Sequence, residues 1–240
     1  MDWAAITNAG TREVNEDSLG VAETEQVSCF IVADGLGGHG MGDAASSLAV
    51  AAFQKVFEES DESVQMRLEA AFAQAQNDIL QEQIKRHAQM QMKTTVAALA
   101  VTEDQIIWAH IGDTRIYSFS LFGVKRHTVD HSVPQMLVLA KEIKENQIRY
   151  HPDRNKLLRV LGVSGEKPRY NMSGLMKRRK HHAFLLCSDG FWELILEKEM
   201  QKCLRKAKTP QQWLELMEQI IQQRGEGSDM DNFSAIGVWL

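Results

Sequence analysis

"VADGLGGHGMGDAASS", residues 32–47, joins an apolar run that starts near Cys29 to a helix-like segment, and its reading decides the fold. It holds Gly35-Leu36-Gly37-Gly38-His39-Gly40, a complete G-x-G-x-x-G. Either this is a dinucleotide-binding turn, or the glycines serve the Asp34 that precedes them. A dinucleotide site needs a second strand ending in an acidic residue about twenty positions further on. Here the element predicted after the helix Asp43–Glu59 is another long helix, so that strand is missing. The Asp34 carboxylate would also repel a pyrophosphate. The nucleotide reading is rejected.

Two other segments end as this one does. "FIVADG" (30–35), "WAHIGD" (108–113) and "FLLCSDG" (184–190) are apolar runs that finish on Asp34, Asp113 and Asp189, each beside a glycine. A carboxylate at the end of a core strand is costly unless something neutralises it. "SDMDN" (228–232) opens the last strand with Asp229 and Asp231, and "NED" (15–17) lies in an early polar segment. Carboxylates gathered at one end of a sheet need a cation. Hard oxygen donors without clustered Cys or His indicate Mg²⁺ or Mn²⁺ rather than zinc. The alternative is that each aspartate independently caps a turn or a helix.

Composition narrows the classes. The 240 residues are 44% hydrophobic and 25% charged, enough for a sizeable core. A net charge of −5 argues against binding nucleic acid through phosphate contacts. Three cysteines with no C-x-x-C pair suit a reducing compartment. "MDWAAITNAG" lacks a signal-peptide pattern and no apolar run could span a bilayer, so a cytoplasmic protein without a membrane anchor is expected. Helical spacing marks 43–59, 61–87, 192–204 and 210–224, and strand patterns mark 27–34, 94–101, 106–113, 114–121, 124–129, 182–190 and 233–240. "NAGTREVNEDSLG" (8–20) reads as turn-rich, and 130–162 as irregular and partly helical. One α+β domain with antiparallel strands accounts for the pattern.

"REVNED" (12–17), "VADGLGGH" (32–39), "IGDTRIY" (111–117), "CSDGFWE" (187–193) and "DNFSAI" (231–236) together resemble, in order and style, the metal-dependent protein phosphatase 2C family of bacterial type. "TVDHS" (128–132) and "HPDRNKLLRVLG" (151–162) resemble the segments that flank its flap. The resemblance runs from about Thr11 to Leu240. It implies a four-layer α-β-β-α sandwich, two central antiparallel sheets flanked by antiparallel helix pairs, as a single catalytic domain over 1–240 with a flap at about 131–160. It implies a serine/threonine protein phosphatase in which a water or hydroxide bridging two metals attacks phosphorus directly. Asp34 then bridges two of two or three Mn²⁺ or Mg²⁺ ions, with the Gly35 carbonyl on one and Asp189 and Asp231 on the other. Glu16 and Asp17 match acids that hold metal-bound waters, Asp113 with Asp189 a weaker third site, and Arg12 the arginine that grips the substrate phosphate. The expected partners are phosphoproteins made by a serine/threonine kinase, met by a monomer.

Leu36 stands where some relatives carry the histidine thought to protonate the leaving group, which leaves the general acid unassigned. His39 is near but reads as structural or solvated. Glu193 either reaches the third metal or faces solvent. Asn232 reads as shaping the loop beside Asp231. Met136, Leu137 and Leu139 either contact substrate or cover the sheet, and the basic run "KRRKHH" (177–182) either docks an acidic partner or is a solvated turn. Competing functions are a phosphatase dedicated to one phosphorylated signalling regulator and an inactive binding module that keeps the fold.

Overall fold

The computed structural model describes residues 1–37, 41–88, 91–120, 123–165, 167–180 and 182–240. In chain order the first half runs β1 (Asp2–Asn8), β2 (Asp17–Glu23), β3 (Val27–Leu36), α1 (Gly42–Glu59), α2 (Val64–Lys85), β4 (Lys93–Thr94), β5 (Val96–Thr102) and β6 (Gln105–Ile111). β7 (Arg115–Ser120), β8 (Gly123–His127), α3 (Val133–Leu139), β9 (Asn171–Met172) and β10 (Met176–Lys177) follow. β11 (Ala183–Cys187), α4 (Asp189–Trp192), α5 (Glu197–Lys206), α6 (Pro210–Gly225) and β12 (Phe233–Trp239) complete it. One sheet has the order β1-β12-β11-β7-β8 and the other β10-β6-β5-β3-β2, with every pairing antiparallel.

Strand alternation sorts the core into layers. Along β3, Cys29, Ile31 and Ala33 face α1 and α2, while Phe30 and Val32 face the other sheet. Along β11, Leu185 and Cys187 face α5 and α6, while Phe184 and Leu186 meet Phe30 and Val32 in the middle. The result is the expected α+β sandwich of two antiparallel sheets flanked by helices. α2 and α6 begin where a side chain satisfies a free amide. Ser63 Oγ accepts from the Met66 N–H at 3.4 Å, and Thr209 Oγ1 from the Gln212 N–H at 3.1 Å. Among the described residues no helix is long and apolar enough to cross a membrane.

Two elements differ from expectation. The segment read as turn-rich turns into β2 at Asp17. Its helix-facing positions are Ser18, Gly20 and Ala22, and a Cβ on Gly20 would stand 2.3 Å from Val50 Cγ1. Close approach of α1 therefore demands small residues, and they hide the apolar alternation. The helix expected over 192–204 is in fact two, α4 and α5. The chain is extended at Leu196, whose N–H is taken by Glu199 Oε2 at 2.9 Å, so a new helix starts there.

The segment after β8 carries α3 and a 3₁₀ turn at Glu145–Tyr150, and rejoins the sandwich where Leu161 bridges Thr94. Its root is a buried ion pair. Arg115 donates from Nε and Nη2 to the two oxygens of Asp130 at 2.8 and 2.6 Å, and its guanidinium lies 3.5 Å from the Trp192 ring centre. Arg149 in the 3₁₀ turn donates to the Trp192 carbonyl and pairs with Glu197. Removing one partner of a buried pair strands the other charge, at a cost of about 3–5 kcal/mol. Asp130→Ala should therefore lower Tm by roughly 10 °C in a thermal melt. A change under about 2 °C would show that this pair does not anchor the segment.

Candidate metal centre

Register creates the site. Antiparallel pairing sets Asp17 on β2 directly opposite Asp34 on β3. Both continue the face of Leu19, Phe30 and Val32, so their carboxyl groups meet between the sheets at one end of the sandwich. Directly paired residues have Cβ atoms about 5 Å apart, and like charges there are destabilising. Asp34 cannot turn away, because its backbone is clamped. Its N–H donates to Thr95 Oγ1 at 3.1 Å, and its carbonyl accepts from the Thr95 N–H and from Thr94 Oγ1, each at 2.9 Å. The Thr95 and Thr114 hydroxyls share a hydrogen bond, tying the Asp34 strand end to the one that carries Asp113. Ser188 Oγ donates to Asp17 Oδ2 at 2.8 Å and draws in the start of α4, whose first residue is Asp189.

These strand ends surround a cavity of about 390 Å³. Asp17, Asp34, Asp113, Asp189 and Asp231 line it, with Glu16, Gly35, Leu36 and Arg12. Gly35 is required by close approach: a Cβ there would lie 2.2 Å from the Gly42 carbonyl oxygen and 2.6 Å from that of Glu16. The Glu16 carboxylate turns to the start of α1, accepting from the Gly42 N–H at 3.3 Å, where the helix dipole favours a negative charge. Arg12 stands at the rim with its Nε 3.3 Å from Asp231 Oδ1. Asn232 orders this rim: its amide donates to the carbonyls of Ala9 and Val14 and accepts from the Glu16 N–H.

Electrostatics follow from the crowding. Asp113 is buried, and desolvation, then Asp130, pushes its pKa up to about 7. Desolvation also raises Asp17 to about 6, against the hydrogen bond from Ser188. Asp34 and Asp189 open part of their surface to the cavity but are otherwise enclosed by protein. Their carboxyl groups are raised well above the usual range, first by desolvation and then by neighbouring carboxylates. Such a cluster holds protons or cations in place of its missing countercharge.

The donor set suits a hard divalent cation, since every acidic group on the cavity is a carboxylate. Among the described residues, no three His, Cys, Asp or Glu side chains are already drawn into a closed cage. An open ring of carboxylates matches cations such as Mg²⁺, which keep several waters and use only one or two carboxylates each.

Of the residues singled out in the sequence, Arg12, Glu16, Asp17, Asp34, Gly35, Leu36, Asp113, Asp189, Asp231 and Asn232 are brought together here. Glu193 does not line the cavity. Its carboxylate is turned to Arg154, 3.0 Å from Nε, and it remains near enough to add negative potential behind Asp189. Met136, Leu137 and Leu139 do not line it either, whereas Asn155 and Leu157 of the same segment do. His39 lies outside the described residues. Thr94, Thr95 and Ser188 were not anticipated. Their roles depend on hydrogen bonds between residues 60 or more positions apart.

Comparison with known proteins agrees with this fold. The model of the family described as protein phosphatase 2C matches residues 7–232. The chain is 31% identical over 204 residues to the serine/threonine phosphatase stp of Listeria monocytogenes, covering 82% of this chain and 80% of that one. It is 28% identical over 232 residues to the serine/threonine protein phosphatase PstP of Mycobacterium tuberculosis, covering 95% of this chain and 43% of that one. Among solved structures, a serine/threonine phosphatase of S. agalactiae superposes with a TM-score of 0.88 at 25% identity, over 100% of this chain and 99% of that one. The catalytic domain of PstP, solved with two manganese ions, shares the fold at a TM-score of 0.81 and 24% identity, over 98% and 96% of the two chains.

The raised carboxyl groups make stability depend on pH. Asp17 and Asp113 titrate near 6 and 7 when folded, against an ordinary value of 3.8. Their contribution to folding is fully present below about 3.8 and is lost as pH rises through 6 to 7. In EDTA-treated protein, Tm should fall between pH 5 and 7.5, and Asp113→Asn should flatten that fall. Parallel profiles for the variant and the natural chain would contradict the assignment.

Proposed function

The chain belongs to the protein phosphatase 2C family, and we propose that it hydrolyses phosphoserine and phosphothreonine in proteins at the carboxylate-lined cavity. The observation that carries this reading is the cavity wall itself. Five aspartates and Glu16 face it, Arg12 stands at its rim, and no described lining residue is Ser, Thr, Cys, His, Tyr or Lys. The conventional side-chain nucleophiles are therefore missing from the wall, and water is left as the attacking group. The cysteine thiols are no substitute, since burial pushes Cys29, Cys187 and Cys203 up and away from the reactive thiolate.

In this reading Asp34, the Gly35 carbonyl, Asp189 and Asp231 would hold divalent cations, Mn²⁺ or Mg²⁺. Glu16 and Asp17 would support them through waters, and Asp113 with Asp189 would offer a weaker third position. The ions supply, when bound, Lewis acidity that lowers the pKa of a water and neutralises phosphate charge. The rest falls to the protein. Thr94 and Thr95 fix the Asp34 backbone and Ser188 fixes Asp17, so the carboxylates are ordered before substrate arrives. Arg12, now on Asp231, has a planar fork able to give two parallel N–H bonds to a phosphate. Leu36 cannot donate a proton, so it is not the acid for the leaving seryl or threonyl oxygen. A monomeric, cytoplasmic enzyme, one domain over 1–240 with 131–160 as its flap, opposed to a serine/threonine kinase, completes the reading. The inactive-module alternative fits poorly with a complete set of carboxylates.

Hydrolysis of p-nitrophenyl phosphate should require Mn²⁺ and stop on chelation. Asp34→Asn and Asp231→Asn should each lower kcat by roughly 100-fold or more. Arg12→Lys should lower kcat/KM on a phosphopeptide by about tenfold. Saturating Mn²⁺ should raise Tm of the chelated protein by about 5–10 °C. Near-natural turnover in Asp34→Asn would overturn the metal assignment.

A further inference from the structure

A second cavity, of about 250 Å³, lies between α5 and the far ends of β11 and β12. β11 begins on it at Ala183, and Asp189 of the carboxylate site comes six residues later. At a strand's rise the two sites are about 20 Å apart. The walls are apolar, formed by Ala183, Leu204, Ala207 and Trp239. Two of its lining residues hold buried polar atoms with no partner, the Trp239 indole Nε1 and Gln201 Oε1.

The rim is basic. Arg205 lines the cavity beside a His182 imidazole held neutral by its surroundings, and no described lining side chain is acidic. Lys125 and Arg179, both exposed, stand close enough to His182 to add to the desolvation that lowers its pKa. Lys177 and Lys180 extend the charge outward, although the whole chain carries −5. Cations on the edge strands β8 and β10 also discourage strand-to-strand aggregation. That role explains Lys125 and Lys177 but not an apolar cavity with unpaired polar atoms.

We propose that this cavity and its rim dock an acidic segment of the phosphoprotein substrate, which buries one apolar side chain between flanking Asp or Glu residues. This deepens the phosphatase reading and rests on it. An apolar slot takes the side chain, and the cations take the carboxylates. Docking at one end of the sheet raises the effective concentration of the phosphoresidue at the other. It therefore acts on KM and leaves kcat unchanged.

The test uses two phosphothreonine peptides, each with a Gly/Ser linker of about 12 residues, long enough on average to cover the span. One ends in Asp-Glu-Leu-Asp-Glu and the other in Ser-Gly-Leu-Ser-Gly. The acidic peptide should show a KM about tenfold lower. Arg205→Glu and Arg179→Glu should erase that advantage and leave p-nitrophenyl phosphate turnover unchanged. Arg205→Glu should weaken anisotropy-detected binding of the free acidic pentapeptide about threefold to tenfold. Equal KM values with intact p-nitrophenyl phosphate turnover would overturn the docking site. So would binding to phosphatidylglycerol vesicles, lost in Arg205→Glu, without discrimination between the peptides. If no phosphate ester is hydrolysed at all, the phosphatase reading fails. Pentapeptide binding then decides docking alone, and a Kd that Arg205→Glu leaves unchanged rejects it.

Discussion

Antiparallel pairing of β2 with β3 puts two aspartates face to face at the end of a hydrophobic sandwich, Asp17 against Asp34. A sheet built for stability alone would not place like charges at that register. The pairing is kept because Phe30 and Val32, on the same face, are locked into the layer between the sheets. Sliding β3 by one residue would move Asp34 out of the site, but would also bring Cys29 and Ile31 to the wrong face. Core packing thus holds the acids together, and their repulsion makes the site take up protons or cations.

Around that pair the molecule is braced through hydrogen bonds that cross between elements. Trp192 closes α4, three residues after Asp189, and its indole N–H donates to the Asp113 carbonyl at 3.0 Å. Its ring carries Arg115, which holds Asp130 at the root of the segment over the cavity. Arg154 of that segment reaches back to Glu193. The covering segment is therefore fastened to the short helix that supplies a candidate ligand, so movement of one is felt by the other. At the opposite end of β11 and β12 the same sheet presents an apolar slot with a basic rim. One rigid sheet therefore links two surfaces of contrasting chemistry.

Much of this was legible in the chain. Apolar runs ending on Asp34, Asp113 and Asp189 marked the strand ends, and the family resemblance implied the layers that the two faces of β3 and β11 build. The glycine run misleads as a nucleotide motif, yet Gly35 is explained by the meeting of β3, the Glu16 backbone and α1. What escaped has physical causes. β2 was hidden because Gly20 and Ala22 must be small under α1. The break between α4 and α5 falls within Leu194-Ile195-Leu196, where apolar spacing continues although the backbone does not. The pairing of Glu193 with Arg154, and the clamps from Thr94, Thr95 and Ser188, join residues far apart in sequence. Local pattern carries no trace of such pairs.

Anomalous diffraction at the manganese edge, from crystals grown with Mn²⁺, tests the account most directly. It predicts at least two peaks inside the cavity, in contact with Asp34 and shared out among Asp189 and Asp231. Crystals showing manganese only at surface sites, with Asp17 and Asp34 still facing each other across an ion-free cavity, would contradict it.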